Sequence, residues 1–195
     1  MQNLDNTLFL DRDGVINRCI VGDYVRNISQ LEFLPGAIDA IVELGKQFRY
    51  VIVVTNQQGI GKGLMSEADV SEIHEYIIKK VKIAGGRIDK IYYCPSLKSA
   101  NDPQRKPGIG MGLQAKLDFP DIDFTRSLMI GDSESDMLFA EKLGMPRILI
   151  DSGDSFAENT MLVCKSLADT CVFFQKNAKK FFFLKKILFL CHQNS

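Results

Sequence analysis

No C-x-x-C pair occurs in this chain, and its five cysteines (Cys19, Cys94, Cys164, Cys171, Cys191) are odd in number and scattered. That argues against a disulfide framework and for a reduced, cytoplasmic setting. No basic segment followed by a long apolar stretch opens the chain, so no signal peptide is expected. No internal repeat and no low-complexity linker divides it. At 195 residues it reads as one domain with a small extension, long enough for a proper core. Net charge is absent as well: 24 Lys and Arg meet 24 Asp and Glu. The balance hides an asymmetry. The last 25 residues hold five lysines (Lys176, Lys179, Lys180, Lys185, Lys186) and no acid, which leaves the rest net acidic. Generic nucleic-acid binding is therefore not expected of the main domain.

The expected division is a main domain over residues 1–170 and a basic, Phe-rich extension over 171–195. In that extension Phe173, Phe174, Phe181–Leu184 and Ile187–Leu190 interleave with the lysines. It is too short and too charged for a membrane span. Its lysines do not gather on one face as an interfacial helix requires. A packed terminal helix or a dimer contact is expected, in a monomer or weak homodimer.

What is present is an alternation of strands and helices. Leu8–Leu10 reads as a buried strand, and Val51–Val54 is a continuous β-branched run. Ile88–Cys94, Leu128–Ile130 and Arg147–Ile150 are further strands. Pro35-Gly36 opens a helix through Ile41 and Leu44. Ser66 can N-cap the next, which runs to Ala84 and stops at Gly85-Gly86. Pro107 suits the first turn of a helix to Leu117, and another spans Glu134 to Leu143. This order predicts an α/β fold: a three-layer, Rossmann-like open parallel sheet with helices on both faces. Ligands of such sheets bind beyond the C-terminal strand ends.

Four signals fall on that rim. Asp11-Arg12-Asp13-Gly14 follows the first strand, with both carboxylates on one face. Like charges that close need an offset, and a divalent cation with hard oxygen ligands supplies one. The pattern also occurs in turns and calcium loops. It does not continue as a calcium loop here, because Val15, Ile16 and Cys19 follow where oxygen ligands would be needed. Thr55-Asn56-Gln57 follows the second strand and can cradle phosphate, or be an ordinary polar turn. Gly59-Ile60-Gly61-Lys62-Gly63 fails as a P-loop, since Asn56 replaces the earlier glycine and Gly63 the Ser or Thr. Arg105-Lys106 precedes a helix start and suits an anion. Gly131-Asp132 ends a strand, with Asp136 one helical turn on.

Leu10–Asn17 (LDRDGVIN), Val53–Gln57 (VVTNQ), Arg105-Lys106-Pro107 and Gly131-Asp132 with Asp136 together resemble the haloacid dehalogenase-like phosphatases. More narrowly they resemble the histidinol-phosphate and heptose-bisphosphate phosphatase branch. Tyr24-Val25, Phe33–Gly36 and Gly59–Leu64 look closer to the heptose-bisphosphate enzymes. The resemblance covers residues 4 to 150. It implies Asp11 as nucleophile and Asp13 as general acid/base. It implies Mg²⁺ held by Asp11, the Asp13 backbone carbonyl and Asp132, with Asp136 orienting that centre from behind. Thr55, the Asn56 backbone and Lys106 would hold phosphoryl oxygens, and Gln57 and Arg105 would contact substrate. The substrate it implies is a small phosphorylated metabolite: D-glycero-D-manno-heptose 1,7-bisphosphate losing its C7 phosphate in bacterial surface-sugar synthesis, or else histidinol phosphate. A non-catalytic metabolite-binding or scaffold role is the reading of another class.

Spacing excludes a large cap domain. Gly14 to Leu34 has room for a flap, and Asn56 to Lys106 for one helix, one strand and a loop. Many relatives carry a zinc-binding Cys/His set before Arg-Lys-Pro. Here only Cys94 remains, with Ser96, Asp102 and Gln104 at the other positions, so no structural zinc is expected.

Overall fold

The computed structural model describes residues 5–150, 160 and 162–176. The apolar runs become the inner strands of a six-stranded sheet. These are β1 (Asp5–Leu10), β2 (Phe48–Asn56), β3 (Lys90–Cys94), β4 (Leu128–Gly131), β5 (Arg147–Ile150) and β6 (Leu162–Cys164). Their order is β3-β2-β1-β4-β5-β6, and every pair is parallel. A central parallel strand is covered on both faces and must be apolar on both. Leu8, Phe9 and Leu10 are accordingly all fully buried. Leu8, Leu10, Val51 and Val53 enter one core layer, while Phe9, Ile52 and Val54 enter the other.

Helices α1 (Ala37–Gly45) and α2 (Glu67–Ile83) cover the first layer, through Ile41, Leu44, Ile73 and Ile77. Helices α3 (Gly110–Asp118) and α4 (Glu134–Lys142) cover the second, through Met111, Ala115 and Phe139. This is the expected three-layer α/β arrangement. Capping boxes at Ser66/Asp69 and Ser133/Asp136 start α2 and α4 by satisfying backbone N–H groups that a helix start leaves unpaired.

Three placements differ from expectation. Helix α3 begins at Gly110, three residues after Pro107, because the chain before it is spent in turns: the Gly108 N–H donates to Arg105 O (2.6 Å) and the Gly110 N–H to Pro103 O (2.8 Å). Strand β6 and a helix over 167–176 follow β5. The expected boundary after residue 170 falls inside that helix. Leu167, Cys171 and Phe174 all pack into the first core layer, so the folded domain continues through the last described helical residue. Residues 177–195, the bulk of the expected extension, lie outside the described residues.

The sheet turns direction at β1. The chain moves outward through β2 and β3, then returns to place β4 on the other side of β1. The switch point, where a ligand crevice forms, therefore lies between the C-terminal ends of β1 and β4. Only a flap lies between β1 and α1. It folds back on itself, with the Arg18 N–H donating to Glu32 O (2.8 Å) and the Leu34 N–H to Ile16 O (3.0 Å). Among the described residues no cap domain is inserted, and no helix is long and apolar enough to cross a membrane.

Candidate active site

Asp11 leaves the end of β1 and its backbone N–H still donates to Ile130 O on β4 (2.9 Å). Asp132 leaves the end of β4. The two carboxylates thus meet across the switch point. Gly14 makes the approach possible: it has φ +84°, and a Cβ there would collide with the Asp132 carboxylate. Lys106, 95 residues from Asp11 along the chain, enters from below. Its Nζ donates to Asp11 Oδ1 (2.8 Å), Asp136 Oδ1 (2.5 Å) and Val54 O (2.7 Å). The Lys106 side chain is 2% exposed, so these pairs are little screened by solvent.

One ammonium faces three carboxylates. Asp11, Asp132 and Asp136 bring oxygens within 4.8 Å of one another. Burial pushes Asp11 up to about 7, with the charges of Asp136 and Asp13 adding and Lys106 opposing. Burial and the charges of Asp11 and Asp136 push Asp132 up to about 8. Burial works against the Lys106 charge, but Asp11 and Asp136 more than offset it and raise its pKa above the ordinary lysine value. Asp136 is committed on both oxygens: Oδ1 takes Lys106, and Oδ2 accepts from the Ser133 N–H (3.1 Å) and hydroxyl (2.7 Å) as the α4 cap. Asp11 therefore shares its one cation with Asp136, and Asp132 makes no ion pair among the described residues, so this pair carries more negative charge than Lys106 offsets. Hard oxygen donors under mutual repulsion are the donor set of a small divalent cation, and Mg²⁺ fits it.

Asp13 is the opposite case. Burial alone would raise it. The Arg12 guanidinium, with hydrogen bonds from Asn17 and Gln57, holds its carboxyl below the usual range. Arg12 Nη2 donates to both carboxylate oxygens (3.0 and 2.8 Å), Asn17 Nδ2 to Oδ1 (2.8 Å) and Gln57 Nε2 to Oδ2 (2.8 Å). One rim thus holds two kinds of carboxyl group, one inclined to keep a proton and one strongly ionised.

The other expected site residues divide. Thr55 is the next-to-last residue of β2, and its Oγ1 accepts from Gln57 Nε2 (2.9 Å). The Asn56 side chain clamps the Lys106 peptide from both sides, accepting from its N–H (3.0 Å) and donating to its carbonyl (3.1 Å). Arg105 is half-buried and donates to Ser96 O (3.2 Å), bracing the loop after β3. In that loop Asp102 accepts from Cys94 Sγ (3.8 Å), the Ser96 hydroxyl and the Gln104 N–H (2.8 Å). Gln57 is the correction. Expected against substrate, it is fully buried and its amide is spent on Arg12, Asp13 and Thr55. Sequence reasoning missed Arg12, Asn17 and His74 as parts of this network. A signal existed for His74, a polar residue at a core position of α2 between Ile73 and Ile77.

A HAD-hydrolase-like family model matches residues 104–170. A D-glycero-alpha-D-manno-heptose-1,7-bisphosphate 7-phosphatase of Mycobacterium bovis is 46% identical over 136 residues, 70% of this chain and 72% of that one. A D-glycero-beta-D-manno-heptose-1,7-bisphosphate 7-phosphatase of Photorhabdus laumondii is 38% identical over 175 residues, 83% of this chain and 91% of that one. Among solved structures, D,D-heptose 1,7-bisphosphate phosphatase from B. bronchiseptica, complexed with magnesium and phosphate, has a TM-score of 0.79 at 28% identity. The match covers 88% of this chain and 98% of that one. Fold, rim and these likenesses together define an α/β phosphatase. The chain belongs to the haloacid dehalogenase-like family of phosphatases.

Proposed function

We propose that this phosphatase hydrolyses D-glycero-D-manno-heptose 1,7-bisphosphate, releasing the C7 phosphate and leaving heptose 1-phosphate, in cytoplasmic synthesis of bacterial surface sugars. It would act as a monomer or weak homodimer. The observation that carries the substrate is the identity of 46% and 38% to enzymes of that name across most of both chains.

In this mechanism a carboxylate oxygen of Asp11 bonds to phosphorus as the ester P–O bond breaks, giving an aspartyl-phosphate. The electron pair leaves on the sugar oxygen, which takes a proton from Asp13. Asp13 is ionised in the free protein, so it takes up that proton as the anionic phosphoryl group arrives beside it. Water then adds to phosphorus and returns a proton to Asp13, while Asp11 departs as carboxylate. Ester and water have become alcohol and inorganic phosphate. Because Gln57 donates to Thr55 Oγ1, the threonine's own proton is left for a phosphoryl oxygen. The Asn56 N–H binds the same group, and so does the Lys106 ammonium, whose three N–H donors all have acceptors in the free protein, by moving one of them from Asp11 to a phosphoryl oxygen. Arg105 contacts substrate from the 95–105 loop, which its bond to Ser96 O and the hydrogen bonds around Asp102 hold together, and no structural zinc is proposed for that loop. Mg²⁺ would be held by the Asp11 and Asp132 carboxylates and the Asp13 backbone carbonyl. When bound it supplies the positive charge that lets one anion attack another. Asp136 orients this centre through Lys106 and the start of α4.

The substrate is tested by phosphate release from both anomers of heptose 1,7-bisphosphate and from histidinol phosphate. At least about a 10-fold advantage in kcat/KM for a heptose is expected. An advantage for histidinol phosphate would keep the chemistry and overturn the substrate.

The raised carboxyls give a metal dependence with a definite sign. Asp11 and Asp132 have folded pKa values near 7 and 8, against an ordinary 3.8. Their contribution to stability is full below the unfolded value and is lost as pH rises through 7 to 8. A cation that replaces the missing protons restores it. Mg²⁺ is therefore expected to raise the melting temperature by more at pH 8 than at pH 6. An increment that is equal at the two pH values, or larger at pH 6, would count against the assignment of these ligands.

A further inference from the structure

Beneath Asp13 runs a buried chain of side chains to which hydrolysis gives no direct task. Arg12 is fully buried, although it lies between two rim aspartates. Its Nη2 donates to both oxygens of Asp13 and to Gln57 Oε1 (3.0 Å). Its Nη1 lies 3.2 Å from His74 Nε2. A guanidinium only donates, so His74 Nε2 is the acceptor and the ring carries its proton on Nδ1. Burial and the Arg12 charge together push His74 down to about 3, so it remains a neutral acceptor throughout the working range. The ring is itself held on α2, edge-on to Tyr93 of β3 at 5.6 Å.

This arrangement is costly. A buried guanidinium is tolerated only when well paired, and Arg12 Nε has no hydrogen-bond partner among the described residues. Asn17 and Gln57 by themselves would give Asp13 one donor per oxygen. The Arg12 nitrogen adds a contact that spans both oxygens, and so fixes the rotation of the carboxylate plane. His74 in turn fixes the far end of the guanidinium.

We propose that Arg12, braced by His74, is a positioning residue that sets the orientation of the Asp13 carboxylate for proton transfer to the leaving oxygen. The inference rests on the phosphatase mechanism above and adds two residues to it. It also predicts a dependence on the leaving group. An alkyl phosphate needs its departing oxygen protonated, whereas p-nitrophenyl phosphate, with a good leaving group, needs this far less.

The test compares kcat/KM, which reports the steps up to phosphoryl transfer, for the heptose bisphosphate and for p-nitrophenyl phosphate. Both are read on the same preparation of each variant, so any loss of folded protein lowers the two equally and cancels in their ratio. His74→Phe removes the acceptor. It is expected to lower kcat/KM for the sugar phosphate about 10-fold or more, and for the aryl phosphate by less than about threefold. His74→Gln, which offers an oxygen near the place of Nε2, is expected to restore the ratio. Arg12→Lys keeps the charge, loses the fork and should show the same split, which keeps the test decisive if His74→Phe folds poorly. Equal losses on both esters, or no loss on either, would overturn the proposal while wild-type turnover leaves the phosphatase mechanism standing. Failure of the wild type on both esters would overturn both.

Discussion

Asp11→Asn is expected to lose phosphate release by at least about 10³-fold while keeping its fold. Asparagine has the same shape, and its amide oxygen can still accept from Lys106 Nζ, now 2.8 Å from Asp11 Oδ1. What disappears is the anionic oxygen that would bond to phosphorus. The same change removes one of three carboxyl groups that bring oxygens within 4.8 Å of one another. It therefore relieves repulsion, since the Asp11 charge is a leading cause of the raised Asp132. The metal-free variant should accordingly melt no lower than the wild type at pH 8. Loss of activity with retained or increased thermal stability separates a missing nucleophile from a damaged fold. Turnover above about 1% of wild type would exclude Asp11 as the nucleophile.

Lys106→Met has the other large expected effect, and here stability and activity fall together. Methionine fills a similar volume but takes away the cation that meets Asp11, Asp136 and the Val54 carbonyl. Removing one partner of a buried pair leaves an uncompensated charge, which costs about 3–5 kcal/mol. Turnover should fall at least about 100-fold, because phosphoryl oxygens lose a charged donor in a site shielded from water. Adding Asp136→Asn to the variant should recover part of the stability and none of the activity. Residues in one network couple in this way, and denaturant unfolding of the single and double variants measures it. A loss below about 1 kcal/mol in the single variant would mean that the carboxylates are neutralised by other means.

Much of this molecule was legible because its central strands are buried on both faces. Leu8–Leu10 and Val51–Val54 must be continuously apolar, and polar residues directly after them can only lie on the rim. Asp11, Asp13, Thr55 and Asp132 were therefore placed by pattern alone. The missed elements have short or ambiguous patterns. β6 is three residues long and its middle residue, Val163, is exposed, so no window of alternation reports it. The helix over 167–176 is the packed terminal helix expected of the extension, but it starts ahead of residue 171, and Leu167 and Phe174 enter the same core layer as the main domain. Helix α3 began late because Pro107 is compatible with a turn as well as with a first helical residue.

The amino-acid sequence by itself determined the layer order, the rim, and which residue types stand on it, because hydrophobic periodicity and turn chemistry are local properties. Only the tertiary structure decided who pairs with whom. Lys106 takes both Asp11 and Asp136, and Arg12 turns inward to His74, 62 residues away in the chain. Gln57 turns under the rim to join Arg12, Asp13 and Thr55. Such choices depend on the crossing of β4 beside β1 and on the packing of α2 against the sheet. They depend on the depth at which each charge comes to rest, and no spacing along the chain encodes that depth.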